Sequence, residues 1–180
     1  MNESTSDLLP LAGHQIVFVR TPDYSGPKVK LTPINLHWEN RHPEADQASS
    51  GLDATVCIRV EAETRISMAA MSDEFHTRQL ELFRNGLSRI VDRKARNAAI
   101  DGSDTGIRIR AKRLKENIAL LVDLFDPEYQ WQRRLHHLEQ YVSATTLSMG
   151  ILFQRSDILN AIGQLKELQD YLSRIKLSSG

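Results

Sequence analysis

His136 and His137, with Glu139 just behind them, are the residues whose types most suggest chemistry, and that chemistry would be metal ligation. Their spacing works against it. Neighbours on a strand point to opposite faces, and neighbours on a helix are about 100° apart. No HExxH, CxxC or spaced His/Asp trio accompanies them, so they read as surface residues and no metal is expected. Cys57 could be a nucleophile only with a base beside it and a depressed pKa. His37 and His76 are candidates for that base, but nothing in their spacing brings them near, so Cys57 reads as a partly buried thiol. Ser, Asp and His are all present without a G-x-S-x-G context. The segment Gly102–Gly106 (GSDTG) holds two glycines but neither a Walker lysine nor dinucleotide-binding spacing, and reads as a hairpin turn. No catalytic residue, no cofactor and no enzymatic activity are expected.

The basic residues carry more weight. From Arg89 to Lys115 there are nine (Arg89, Arg93, Lys94, Arg96, Arg108, Arg110, Lys112, Arg113 and Lys115) against three acids (Asp92, Asp101 and Asp104). On a hairpin, Arg108, Arg110 and Lys112 share one face and make a ladder that could meet phosphates or an acidic protein surface. No aromatic residue is interleaved, so stacking on unpaired bases has no support. The first 53 residues tilt the other way, with seven acids and four bases, an asymmetry that suits a protein-binding surface.

The stretch that must position these groups is Ala54–Lys94. Val56, Ile58, Val60, Ala62, Ile66, Met68 and Ala70 fall on even positions, and Cys57, Arg59, Glu61, Glu63 and Arg65 on odd ones. A period of two predicts one long half-buried strand. Ser72 with Asp73 and Glu74 predicts a helix start. His76, Leu80, Phe83, Leu87, Ile90 and Val91 then form one helical stripe, so the predicted helix is Ser72–Lys94. Elsewhere His14–Arg20 predicts a strand. Lys28–Glu39 alternates with a register change at Pro33, read as a bulge or as two short edge strands. Asn40–Asp53 predicts a long exposed loop. Asn97–Asp101 and Thr105–Ala111 predict strands, and Ile118–Phe125 a strand covered on both faces. Tyr129–His137 is ambiguous. Tyr141–Phe153 is strand-like, and Ser156–Asp157 opens a last helix, Ser156–Ile175. No internal repeat is visible. The expectation is an α+β domain spanning residues 1–180, with 1–13 loose: a largely antiparallel sheet with two helices packed on one face.

Composition agrees with an ordinary globular protein: 41% apolar residues, 26% charged, and no net charge. Zero net charge argues against electrostatic attraction of the whole chain to nucleic acid or membrane, though not against a local patch. Cys57 is the one cysteine, so no internal disulfide can form. No run approaches the ~18 apolar residues of a membrane span, and no signal peptide is visible, so a cytoplasmic location is expected.

The element order brings a family into view. The strand ATVCIRVEAETRISMAAM leads to the helix SDEFHTRQLELFRNGLSRIV, then to NAAID, the hairpin TGIRIRAKRLKENIALLVDLF, the strand TTLSMGILF and the helix SDILNAIGQLKEL. Over residues 54–170 this resembles the WapI-like immunity proteins of bacterial polymorphic toxin systems. The resemblance implies a non-enzymatic inhibitor that binds and neutralises a cognate toxin domain, and it supplies no catalytic residues. A protein partner would meet the sheet face left free by the helices, with Arg59, Glu61, Glu63, Arg65, Arg108, Arg110, Lys112 and Arg113 as contact residues, or the Asn40–Asp53 loop at its edge. The alternative is a nucleic-acid-binding accessory protein that uses the basic hairpin Arg108–Lys115.

Overall fold

The computed structural model describes residues 11–20, 26–38, 54–103, 106–125 and 146–178. The elements assigned to Asn40–Asp53 and Tyr129–His137, the His136–His137 pair and most of the loose N-terminal segment lie outside them. Strands β1 (Ile16–Val19), β2 (Lys28–Trp38), β3 (Ala54–Glu63) and β4 (Met68–His76) precede helix α1 (Thr77–Val91). Strands β5 (Asn97–Asp101), β6 (Ile107–Leu114), β7 (Asn117–Phe125) and β8 (Thr146–Phe153) precede helix α2 (Arg155–Ser178). A short 3-10 turn, Leu11–Gly13, leads into β1. Each set of strands is an antiparallel meander in chain order, β1-β2-β3-β4 and β5-β6-β7-β8. The α+β class is as expected. The single sheet is corrected to two, and the plan of four strands followed by a helix occurs twice. This repeat was invisible in the sequence because it lies in element order and pairing rather than in residue identity.

The long central strand is also corrected: Ala54–His76 is a hairpin. Its turn closes with the Thr64 N–H donating to the Ser67 carbonyl at 2.8 Å. Partners across an antiparallel pair share a face. Val56 pairs with Phe75, Ile58 with Asp73 and Val60 with Met71. Inward positions are therefore even on β3 and odd on β4. Val56, Ile58, Val60, Ala62 and Phe75 are buried, whereas Ile66 and Met68 stand out in solvent, 96% and 73% exposed. Helix α1 accordingly begins at Thr77, not Ser72. The Ser-Asp-Glu run imitates a capped start, but Ser72 is the exposed strand partner of Arg59. His76 holds the N-cap position, and its N–H donates to Gln79 Oε1 at 3.2 Å. The start of α2 falls close to expectation, with one change of role. Asp157 reaches back to accept the Gln154 N–H at 2.8 Å, so Gln154 is the residue being capped.

Pro33 sits where β2 slips register against β3, between Pro33 and Asn35. A bulge is where a paired strand tolerates a residue without an N–H donor. The burial of β7 on both faces is as expected: Ala119 and Asp123 are buried on the side opposite Ile118, Leu120 and Val122.

One core joins both sheets and both helices. It contains Leu80, Phe83, Leu87 and Ile90 of α1 and Ile158, Ala161, Leu165, Leu168 and Leu172 of α2, with Val56, Ile58, Ile109, Leu120 and Val122 of the strands. Ile162 of α2 is only partly buried. Each fully buried Val, Leu, Ile or Phe side chain of this core contributes about 1.5–3 kcal/mol by leaving water. The helices pack on each other and cross over: α1 packs mainly on β5, the first strand of the second half, and α2 on β1, the first strand of the first half. Gly86 permits the first contact, since a Cβ there would stand 2.7 Å from the Ala98 Cβ. The second is pinned by the Val17 N–H donating to Gln164 Oε1 at 2.7 Å. Phe18 and Phe153 meet across the core with ring centroids 6.2 Å apart.

A buried carboxylate locks the sheets together. Asp73 of β4 is 4% exposed. Its Oδ2 accepts the N–H groups of Gly106 and Ile107, both at 3.0 Å, and its Oδ1 accepts the Glu74 N–H at 2.7 Å. Gly106 and Ile107 thus cradle an anion, but the anion is the chain's own. Beside it the Ser103 N–H donates to the Glu74 carbonyl at 2.7 Å. Gly102 is required by space: an added Cβ would fall 1.9 Å from Asp73 Oδ2. Asp73→Ala leaves buried N–H donors unpaired and is expected to cost about 2–4 kcal/mol in chemical denaturation. Gly102→Ala should be comparably destabilising. The double variant should lose clearly less than the sum, because Asp73→Ala removes the carboxylate atoms that the new methyl at position 102 would strike. Strict additivity would contradict the assignment.

Candidate anion-binding cleft

The second half of the chain builds a basic cleft from two turns and the start of a strand pair. Helix α1 ends in a Schellman motif, with the Arg93 N–H donating to the Ile90 carbonyl at 3.0 Å and the Lys94 N–H to the Arg89 carbonyl at 2.7 Å. The motif places Arg93 in the left-handed region, φ 62°, a position that favours glycine. The chain then enters β5, where Asn97 pairs with Lys112 of β6. The Arg113 N–H donates to the Arg96 carbonyl at 2.9 Å and fixes the two segments side by side. Strands β6 and β7 join through Lys115–Glu116, with Leu114 paired to Asn117. Lys115 is again left-handed, φ 54°. Among the described residues these are the two non-glycine positions with positive φ.

Arg93, Arg96, Asn97, Lys112, Arg113, Lys115 and Glu116 line a cleft of about 550 Å³. Five cations against one carboxylate leave a surplus of four positive charges. Arg93 Nη2 donates to Glu116 Oε2 at 2.8 Å and ties the two turns together. Among the described residues Arg96, Lys112 and Lys115 make no ion pair. Arg113 Nη1 is buried with no hydrogen-bond partner there. A buried donor of this kind costs stability unless something accepts from it. The C-terminal end of α1 contributes about half a negative charge nearby, too little to offset the surplus. The arrangement can hold an anion through Arg forks and ammonium groups.

The structure divides the contact residues expected from the sequence. Arg108, Arg110 and Lys112 do share the outward face of β6. Arg108, however, bonds through Nε to Asp101 Oδ1 at 2.5 Å, and that bond and charge push the guanidinium above its ordinary pKa. Arg110 donates to Asp123 Oδ2 at 2.6 Å, and Asp123 also accepts the Ser148 hydroxyl at 2.6 Å. The ladder is therefore answered by acids at its far end, and open charge begins at Lys112. Arg113 has the opposite parity and turns into the cleft. Arg59, Glu61 and Glu63 lie on the outer face of the first sheet, where Lys28 meets Glu63 at 2.9 Å, Lys30 meets Glu61 at 3.5 Å and Arg59 meets Glu61 at 3.3 Å. Partial burial pushes the Glu61 carboxyl up, but Arg59 and Lys30 outweigh it and hold it below its ordinary value. Arg65 sits in the β3–β4 turn. Arg93 and Arg96 belong to the same basic stretch as the hairpin that ends at Lys115. The signal that joins them to Lys112 and Arg113 is strand pairing rather than spacing.

Cys57 and both histidines do come to one sheet face. Cys57 pairs with Asn35 and Glu74, and Thr55 with His37 and His76. His76 Nδ1 lies 3.2 Å from Thr55 Oγ1, and His37 Nε2 lies 3.3 Å from Asn35 Nδ2. Among the described residues no three His, Cys, Asp or Glu side chains are placed to hold a metal ion. No described helix is long and apolar enough to cross a membrane.

No family model matches the chain, and no curated protein matches it. Solved structures similar in backbone course include these two. The plant transcriptional regulator PBF-2 shares 8% identity at a TM-score of 0.43, over 85% of this chain and 80% of that one. WHY3 from Arabidopsis thaliana shares 9% identity at a TM-score of 0.40, over 82% of this chain and 83% of that one.

Arg93 and Lys115 both hold left-handed backbone at the rim of one cleft, where glycine would carry less strain. Arg93→Gly and Lys115→Gly should each leave stability unchanged or raise it by up to about 1 kcal/mol. Both should weaken anion binding. A thermal melt beside a titration checks this, and marked destabilisation by either glycine would show that the turns are not strained.

Proposed function

We propose that the chain is a nucleic-acid-binding protein that holds phosphates in the cleft formed by Arg93, Arg96, Lys112, Arg113 and Lys115. The observation that supports this is the convergence of five cations on one cavity in a chain of zero net charge. The surplus is local, which reconciles the neutral composition with an anionic partner. Among the described residues no aromatic side chain lines the cleft, so it engages phosphates without stacking on bases, and binding is insensitive to base sequence. The site differs from the basic hairpin Arg108–Lys115 read from sequence. It gains Arg93 and Arg96, and it loses Arg108 and Arg110 to their carboxylates. The reading rests on the cleft and takes nothing from the loose likeness to PBF-2.

A protein partner, such as the toxin domain implied by the WapI-like resemblance, is the second reading. What favours it is the mixed-charge outer face of the first sheet, a rigid platform of paired Lys28, Lys30, Arg59, Glu61 and Glu63. The stretch that would be the first strand in that resemblance is the β3–β4 hairpin.

Fluorescence anisotropy with a labelled single-stranded oligonucleotide tests the nucleic-acid reading. Neutralising the surplus of about four positive charges gives a log–log salt slope of about −2 to −3. Arg96→Ala with Lys115→Ala should flatten the slope by about 1 or more. Glu116→Gln, which removes the competing carboxylate, should tighten binding. Arg108→Glu with Arg110→Glu should change it far less. Tight binding that survives loss of Arg96 and Lys115 would move the site elsewhere.

A further inference from the structure

We infer that the cleft captures the phosphorylated end of a nucleic-acid strand rather than a running backbone. This rests on the phosphate-binding reading above and narrows its ligand. The first argument is where the charge stops. Beyond Lys112 the outward cations of β6 are Arg110 and Arg108, and both are held by carboxylates of the chain itself. On the helix side, Lys94 lies 3.8 Å from Asp92. Among the described residues, a strand lying across the outer face of the second sheet would meet uncompensated cations at this one end, where Arg89 on the last turn of α1 adds to the cluster. Electrostatic tracking of a backbone needs a stripe, and this is a point.

The second argument is the match of charge. An internal phosphodiester carries one negative charge. A terminal phosphomonoester carries about −1.5 to −2 near neutral pH and offers three acceptor oxygens. A surplus of four positive charges, three of its five cations being guanidinium forks, answers the second far better than the first. The third argument is Arg113. Its Nη1 is buried and has no acceptor among the described residues. An anion that draws the Arg113 guanidinium out into the cleft gives that nitrogen an acceptor, and a terminal phosphate has the free oxygens to do so. The Arg93–Glu116 pair is the bond an incoming phosphate has to compete with.

The test uses the full chain and one single-stranded oligonucleotide sequence prepared with a 5′-phosphate, a 3′-phosphate or hydroxyl ends. Affinities are read by anisotropy at fixed salt. At least one phosphorylated form should bind tenfold or more tighter than the hydroxyl-ended strand. The preference should shrink as pH falls from 7.5 to 5.5, because the monoester's second pKa is about 6. Arg113→Lys keeps the charge but loses the fork, and should erase most of the preference while the hydroxyl-ended strand still binds. Equal affinity for all three strands, with the salt slope intact, would overturn the inference and leave the phosphate-binding reading standing. No binding of any strand at low salt would end both. A nucleoside monophosphate that competes as well as the whole phosphorylated strand would also overturn the inference, because the ligand would then be the small phosphate alone.

Discussion

The bond between the Asp73 carboxylate and the N–H groups of Gly106 and Ile107 is the constraint on which the rest of this molecule depends. Each four-stranded meander could bury one face with helices. Neither meander alone explains why both sheets share a core. A carboxylate of β4, buried to 4% exposure, spends its acceptors on the loop that opens β6. Gly102 lies against it with no room for a side chain. A buried charge is tolerable only when its acceptors are satisfied. The geometry of this joint is therefore narrow, and it sets the first sheet against the start of the second.

The crossed helices follow from the same arrangement. Helix α1 leaves the first sheet, packs on β5 and ends in the turn that carries Arg93 and Arg96. From that turn the chain enters the second sheet, where Asn97 pairs with Lys112. The cleft therefore forms where one repeat hands over to the next. Its charged side chains come from the linking turn, from β6 and from the β6–β7 turn. A single hairpin would present only Lys112, Arg113 and Lys115. The end of α1 brings the other cations and the strained rim.

Where one physical signal dominated, the chain was readable. Alternation on β3 and β6, the apolar run of β7, the stripes of both helices and the slip at Pro33 are all consequences of local pattern. The failures have local imitators. Ser72-Asp73-Glu74 has the chemistry of a helix start, yet Phe75 is fully buried opposite Val56, and Asp73 is answered by a loop more than thirty residues away. The parity of apolar residues from Val56 to Ala70 looked continuous because two exposed residues, Ile66 and Met68, happened to fall on it. Alternation fixes faces but not partners, so it could not tell one sheet from two. The same limit applied to the site. Counting charges located the basic region. Only register revealed that Asp123 and Asp101 disarm Arg110 and Arg108, and that Arg113 turns the other way.

Backbone amide chemical shifts during titration with a single-stranded oligonucleotide test the central claim most directly, because they map the contact without altering a residue. Contact in the cleft predicts the largest shifts at Arg93–Asn97 and at Lys112–Glu116, with the outer face of the first sheet, Arg59–Glu63, unmoved. Shifts concentrated on β2 and β3 with the two turns silent would contradict it.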